Sequence, residues 1–300
     1  MSLPIVHHPA YCADIPAAHR FPMNKFRRLA EVLTEEGFLG PGGFHQPVPA
    51  PAEWLTLAHD RAYVDQVLSS SVPQKVAREI GLPMTASVAL RARCATAGTV
   101  LAATLALEHG LALNTAGGSH HSRREQGAGF CVFNDVAVAI RVLQADGAIG
   151  RALVVDLDVH QGDGTAAIFA GDDSVFTLSL HGEKNYPVRK RPSSLDVALP
   201  DACADDDYLA ALAPALETAL AAGAPDIVFL NAGVDPHLED RLGRLALSDA
   251  GLRARERMVM ARVREAGLPL ACVIGGGYLE DIDRLARRHA GLFAVAAEFA

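Results

Sequence analysis

The chain has 300 residues, 50% hydrophobic and 21% charged, which excludes a disordered protein and, at this length, fits one α/β domain with a large core. A net charge of −8 and a pI near 5.8 argue against direct nucleic-acid binding, because the one basic run, Arg189-Lys190-Arg191, sits between Pro187 and Pro192 and reads as a solvated loop. No uninterrupted apolar run of about 18 residues marks a membrane span, no apolar signal segment opens the chain, and the five scattered cysteines form no CxxC, so a cytoplasmic protein with reduced thiols is expected.

In chain order, a helical stretch over 87–110 leads into the apolar run LALNTAG (111–117), which ends in GGSHH with His120 and His121. A second helix over 134–147 precedes ALVVDLDV (152–159), which delivers Asp156, Asp158 and His160. VFTLSL (175–180) carries Ser179 and is followed by His181. Further helices over 207–223 and 248–267 bracket DIVFLNAG (226–233), which ends in Asp235, and LACVIGGG (270–277) then ends in Tyr278. Continuous Val/Leu/Ile runs alternating with helices indicate a parallel sheet covered on both faces. The C-terminal edge of such a sheet is where ligands bind, and five runs each place polar groups there.

Asp158 and His160 are two residues apart, so on an extended backbone both side chains point to the same side. Alone, the pair reads equally as a helix cap and a hydrogen-bonded core histidine. Asp235, at the end of another strand, completes an Asp2His set, which matches a catalytic zinc site with one open position. The His120-His121 pair then has a use beside the metal rather than on it. A metal lowers the pKa of the water it holds, but a base is still needed to take the proton and return it to a leaving group. The tautomer of such a base is held by a carboxylate, and Asp156 and Asp163 are two acids the metal does not need. Gly275 to Tyr278 reads either as a strand-end turn or as a flexible segment that brings the Tyr278 hydroxyl to a developing oxyanion.

GGSHHSRREQGAGFCVFND, VVDLDVHQGDGT, LSLHG, NAGVDPHLEDRLG and GGGY, in this order, resemble the zinc-dependent histone deacetylase family of the arginase/deacetylase fold, over essentially the whole chain. IGLPMTASVALRARCATAGT together with AGVDPHLEDRLGRLALS is most similar to the class IV branch and its bacterial relatives. The resemblance implies a single α/β domain over 1–300 with a mostly parallel sheet of about eight strands. It implies zinc, or iron(II) in its place, on Asp158, His160 and Asp235. His121 paired with Asp163 would be the general base and acid, His120 backed by Asp156 an electrostatic partner, and Tyr278 the group that polarises the carbonyl. Phe130 and Tyr186 would wall a lysine tunnel, with the Gly129 carbonyl receiving the substrate amide N–H and Leu242 also contacting substrate. A structural potassium ion near Asp156, Asp158, His160, Ser179 and Leu180 is implied as well.

The activity so implied is hydrolysis of an Nε-acyl-lysine in a peptide or protein, or of a related acylated amine such as an acetylpolyamine. An acidic surface suits lysine-bearing, cationic partners. Glu79 is the only candidate for the acid that grips substrate backbone at the rim of many relatives. A binuclear-manganese ureohydrolase is the rival enzyme, but Asp235-Pro236-His237 supplies one acid where a DxD is needed. A non-catalytic acyl-lysine binder is the rival of another class. Ser119 stands where class I relatives carry a bulky aromatic, so a wider cavity favouring longer acyl chains is expected unless a neighbouring side chain fills the space. The oligomeric state is left open.

Overall fold

Parallel strands buried on both faces need no alternation of polar and apolar residues, and the five apolar runs form strands on that principle. The computed structural model describes residues 3–222 and 224–300. Its strands are β1 (Ile5–Val6), β2 (Leu111–Asn114), β3 (Ala152–Asp156), β4 (Val175–Gly182), β5 (Leu195–Leu199), β6 (Ile227–Asn231) and β7 (Leu270–Val273). They form one sheet in the order β1-β2-β7-β6-β3-β4-β5, with every neighbouring pair parallel.

Among the described residues, ten α-helices connect and cover the sheet. Before β2 come α1 (Lys25–Glu35), α2 (Ala52–Leu55), α3 (Arg61–Leu68), α4 (Gln74–Ile80) and α5 (Ala86–His109). After it come α6 (Asp135–Ala145), α7 (Asp163–Ile168), α8 (Asp205–Ala221), α9 (Asp249–Glu265) and α10 (Ile282–Ala297). The α5 helix starts at Thr85, whose hydroxyl accepts the Val88 N–H, and stops at Gly110 in the left-handed region with φ 86°. It is long and apolar enough to cross a membrane by composition, but it packs against α6 and β2 as a core helix. The helices α8, α9, α10 and α1 pack in succession, each against the next.

The sheet has seven strands rather than about eight. Both of its edge strands escape a search for apolar runs. The β1 strand has two residues, and β5 alternates partly buried and exposed residues as an edge strand does. Ser179 lies inside β4, and His181 does so too rather than beyond it.

Register decides what the C-terminal edge of the sheet presents. Asp156 at the end of β3 pairs with Ser179 of β4 on one side and with Asn231 at the end of β6 on the other. Asn114 of β2 pairs with Val273 of β7, and Asn231 pairs with the same Val273. The segments leaving β2, β7, β6 and β3 therefore start at one level, and their polar residues converge.

Candidate active site

Asp158, His160 and Asp235 are buried and bring three ligand atoms within 4.8 Å of one another. His160 Nδ1 is 3.0 Å from Asp158 Oδ1 and 3.1 Å from Asp235 Oδ2. The opposite oxygens are held by backbone: Gly276 N–H donates to Asp158 Oδ2 at 2.7 Å and Val159 N–H to Asp235 Oδ1 at 2.9 Å. Gly276 has to be glycine, because a Cβ there would lie 2.6 Å from Asp158 Oδ2 and closer still to Asp235. Burial works against charge on His160, yet the hydrogen bonds and field of the two carboxylates raise its pKa to about 10. A point where buried carboxylates favour positive charge this strongly, with a borderline nitrogen donor beside two oxygens, suits a divalent transition metal.

The two histidines after β2 stand beside this cluster with different partners. His120 Nδ1 lies 2.7 Å from Asp156 Oδ2, and Asn231 Nδ2 donates to Asp156 Oδ1 at 2.9 Å. His121 Nδ1 lies 2.7 Å from Asp163 Oδ1, at the first residue of α7, and Arg123 Nη2 donates to the other Asp163 oxygen at 2.8 Å. The ring environments separate their protonation. Burial opposes a charge on His120, but Asp156 and Asp158 bring its pKa up to about 9. On His121 burial, then the neighbouring His120, brings the pKa down to about 4, against the pull of Asp163. The two adjacent rings are thus shifted in opposite directions.

Above the cluster a cleft of about 570 Å³ is lined by His121, Gly129, Phe130, Tyr186, Leu242 and Tyr278, among others. The Tyr186 ring stands edge-on to His121 with centroids 4.8 Å apart, and Phe130 and Tyr278 lie 5.9 Å apart. Gly129 and Phe130 both have positive φ, and a Cβ on Gly129 would sit 2.5 Å from the His121 ring. Their amides are fixed by the carbonyls of Glu79 and Ile80 at the end of α4. The Tyr278 amide donates to Asp240 Oδ2 at 2.7 Å, and Asn185 Nδ2 ties the Tyr186 loop to the Leu242 carbonyl at 2.7 Å.

Residues 19–294 match the histone deacetylase domain family. The chain belongs to that family. An uncharacterized protein of Picosynechococcus sp. is 49% identical over 99% of both chains. Histone deacetylase 2 of Arabidopsis thaliana is 31% identical over 90% of this chain and 72% of its own length. A histone deacetylase-like amidohydrolase of Pseudomonas aeruginosa is 30% identical over 88% of this chain and 73% of its own. Among solved structures, a histone deacetylase homologue complexed with SAHA superposes with a TM-score of 0.83 at 26% identity, covering 99% of this chain and 84% of that one.

In this member of the histone deacetylase family the sequence-derived residues gather at one edge of the sheet. Ser179 and Leu180, expected beside a potassium ion, lie in β4 next to Asp156, and the Ser179 hydroxyl is 3.0 Å from His181 Nδ1. Glu79 lines the cleft and hydrogen-bonds the Gln126 side chain. His237 faces Glu239 and Asp249 instead of the cluster, and among the described residues one such three-ligand cluster is found.

Ser119 does not open a wide chamber. The space beside it is about 30 Å³, bounded by Phe21, Phe26 and Arg91. Arg91 reaches in from α5, donates to the Tyr11 carbonyl at 3.1 Å and stacks 4.6 Å from the Phe26 ring centre. Phe21, Phe26 and Arg91 are the neighbours that face this space. Phe21 carried no spacing or motif signal. Arg91, Arg123, Asn231 and Asp240 lie inside the motifs IGLPMTASVALRARCATAGT, GGSHHSRREQGAGFCVFND and NAGVDPHLEDRLG, but nothing in their spacing marks them for the site.

Proposed function

We propose that the chain is a metal-dependent amidohydrolase that removes an acyl group from an Nε-acyl-lysine side chain or a closely related acylated amine. The observation that carries this reading is the Asp163-held His121 and the buried Tyr278 flanking one Asp2His cluster at the foot of an aromatic cleft. Zinc or iron(II) would be held by Asp158, His160 and Asp235, and when bound it supplies Lewis acidity and lowers the pKa of water.

The protein's own residues account for the remaining work. Phe130 and Tyr186 would hold an extended aliphatic stem between two rings, and the Gly129 carbonyl would accept the substrate amide N–H, all three lining the cleft. His121 Nε2 takes the proton of the attacking water, since Nδ1–H is committed to Asp163. Burial, reinforced by Asp158 and Asp235, holds the Tyr278 pKa well above its usual value, so the hydroxyl stays protonated and donates to the carbonyl oxygen as negative charge grows there. His121 then returns its proton to the departing amine as the C–N bond breaks. His120, held by Asp156, would act beside it as an electrostatic partner to the negative charge. A structural potassium ion at Asp156, Asp158, His160, Ser179 and Leu180 belongs to the same reading.

The binuclear alternative finds no second ligand set at His237, and the intact acid–base pairs speak against a mere binder. The test is turnover of Nε-acetyl-lysine peptides and acetylpolyamines by protein stripped with a chelator and reloaded with zinc or iron(II). Absence of metal-restored amide hydrolysis on every substrate would remove the reading.

A further inference from the structure

The chain is acidic overall, at −8, but the mouth of the cleft is not. Among the described residues, Arg20, Arg78, Lys184, Arg241 and Arg244 all line it, against the single acid Glu79. Part of this charge is answered from behind. Asp201 takes both Arg244, at 2.7 Å, and Lys184, at 3.5 Å, and Glu280 takes Arg241. Five cations thus face three carboxylates. Among the described residues, Arg20 and Arg78 pair with no carboxylate, and both are exposed.

Their placement is fixed by the same segments that build the site. The Arg20 guanidinium lies 4.9 Å from the centre of the Phe130 ring, against the wall of the cleft. Arg78 precedes Glu79 and Ile80, whose carbonyls hold the amides of Gly129 and Phe130. Lys184 adjoins Asn185 and Tyr186, while Arg241 and Arg244 flank Leu242 and Gly243. A positive rim on an acidic protein is a local reversal of field, which concentrates anions and repels cations at that one opening.

We propose, building on the amidohydrolase reading, that the preferred substrate is an acyl-lysine whose flanking residues are acidic, engaged through Arg20 and Arg78. The expectation of cationic partners drawn from net charge is thereby reversed at the site itself. A lysine-rich tail or a free polyamine would bring positive charge to a mouth with no surplus of carboxylate to receive it.

The test uses three peptides with one central Nε-acetyl-lysine and acidic, neutral or basic flanks, on the metal-loaded full chain. Both kcat/KM and the dissociation constant, by fluorescence anisotropy, are measured at low and high salt. The acidic peptide should exceed the basic one by roughly tenfold or more at low salt, with the ratio contracting as salt is raised. Arg20→Glu with Arg78→Glu should collapse or invert the ratio, and Arg20→Gln with Arg78→Gln, a milder pair, should reduce it. A basic peptide bound and hydrolysed as well as the acidic one overturns the inference and leaves the hydrolase reading intact. Tighter binding of the acidic peptide without hydrolysis of any peptide keeps the cationic recognition and removes the hydrolase. Equal binding of all three without hydrolysis removes both.

Discussion

His121 Nδ1 lies 2.7 Å from Asp163 Oδ1. This contact spans the loop after β2 and the start of α7, and it fixes which nitrogen of the ring is free. With Nδ1–H donated to the carboxylate, Nε2 carries the lone pair that faces the cleft. Changing His121→Ala should lower kcat/KM by on the order of 10²–10⁴, the usual worth of a general acid–base group, with metal content unchanged. Asp163→Asn should lower it through the tautomer. Steady-state kinetics with elemental analysis checks both, and undiminished turnover in His121→Ala would assign the base elsewhere.

The Asp158, His160 and Asp235 cluster should hold one divalent metal per chain. Activity should vanish on chelation and return with zinc or iron(II), and Asp235→Asn should weaken retention, because one of two converging carboxylates loses its charge. Elemental analysis of the purified chain gives the stoichiometry directly. Two metals per chain would move the case to a binuclear enzyme.

Tyr278 packs between rings, 6.1 Å from His160 and 5.9 Å from Phe130, so Tyr278→Phe should keep the fold and remove only the hydroxyl. The loss expected is roughly 10²–10³ in kcat, the worth of one donor to a developing oxyanion. A variant within a factor of two of the parent would exclude the hydroxyl from the chemistry.

Much of the site was legible because the chemistry stands at the ends of apolar runs. Asp156, His120 and Tyr278 each follow a continuous Val/Leu/Ile strand, so parallel-sheet logic alone places them at one edge. The helices α5, α6, α8 and α9 were visible for the same reason, as long stretches between those strands. The two edge strands were not, since two residues or a half-exposed alternation leave no apolar run. Nor was the rim. Arg20, Arg78, Lys184, Arg241 and Arg244 come from four separate segments, share no spacing, and acquire meaning only when the cleft brings them together. Net charge, averaged over the surface, pointed the opposite way.

His59 gives a pH prediction away from the metal cluster. Its Nδ1 lies 2.8 Å from the Arg123 carbonyl, and its Nε2 accepts the Asn134 N–H at 2.9 Å. A protonated ring would set Nε2–H against that N–H, and burial brings the pKa from 6.5 down to about 4. Between those values the unfolded chain binds the proton and the folded chain does not. Stability is therefore fully present above pH 6.5 and is lost as pH falls toward 4, by on the order of 3 kcal/mol for this one group. Denaturation at half-unit pH steps should show a shallower slope in His59→Gln over that window. An unchanged slope would assign the proton uptake to other groups.

On the amidohydrolase reading the acyl group would lie in the space beside Ser119, and that space should set the chain length accepted. At about 30 Å³ it holds two water-sized spheres, enough for the methyl of an acetyl group. Phe21, Phe26 and Arg91 close it, and they do so as a packed unit: Arg91 is 6% exposed and its guanidinium lies 5.5 Å from the Phe21 ring centre and 4.6 Å from that of Phe26. Forcing extra methylenes into such packing costs typically about 1–3 kcal/mol, so kcat/KM should fall roughly tenfold or more between acetyl and octanoyl on one lysine peptide. Phe21→Val removes part of the closing wall without adding a polar group. It should recover longer chains more than acetyl while keeping its metal, with thermal denaturation as the control for folding. A parent enzyme that hydrolyses myristoyl-lysine as fast as acetyl-lysine would show that the wall moves aside and that Phe21 does not limit chain length.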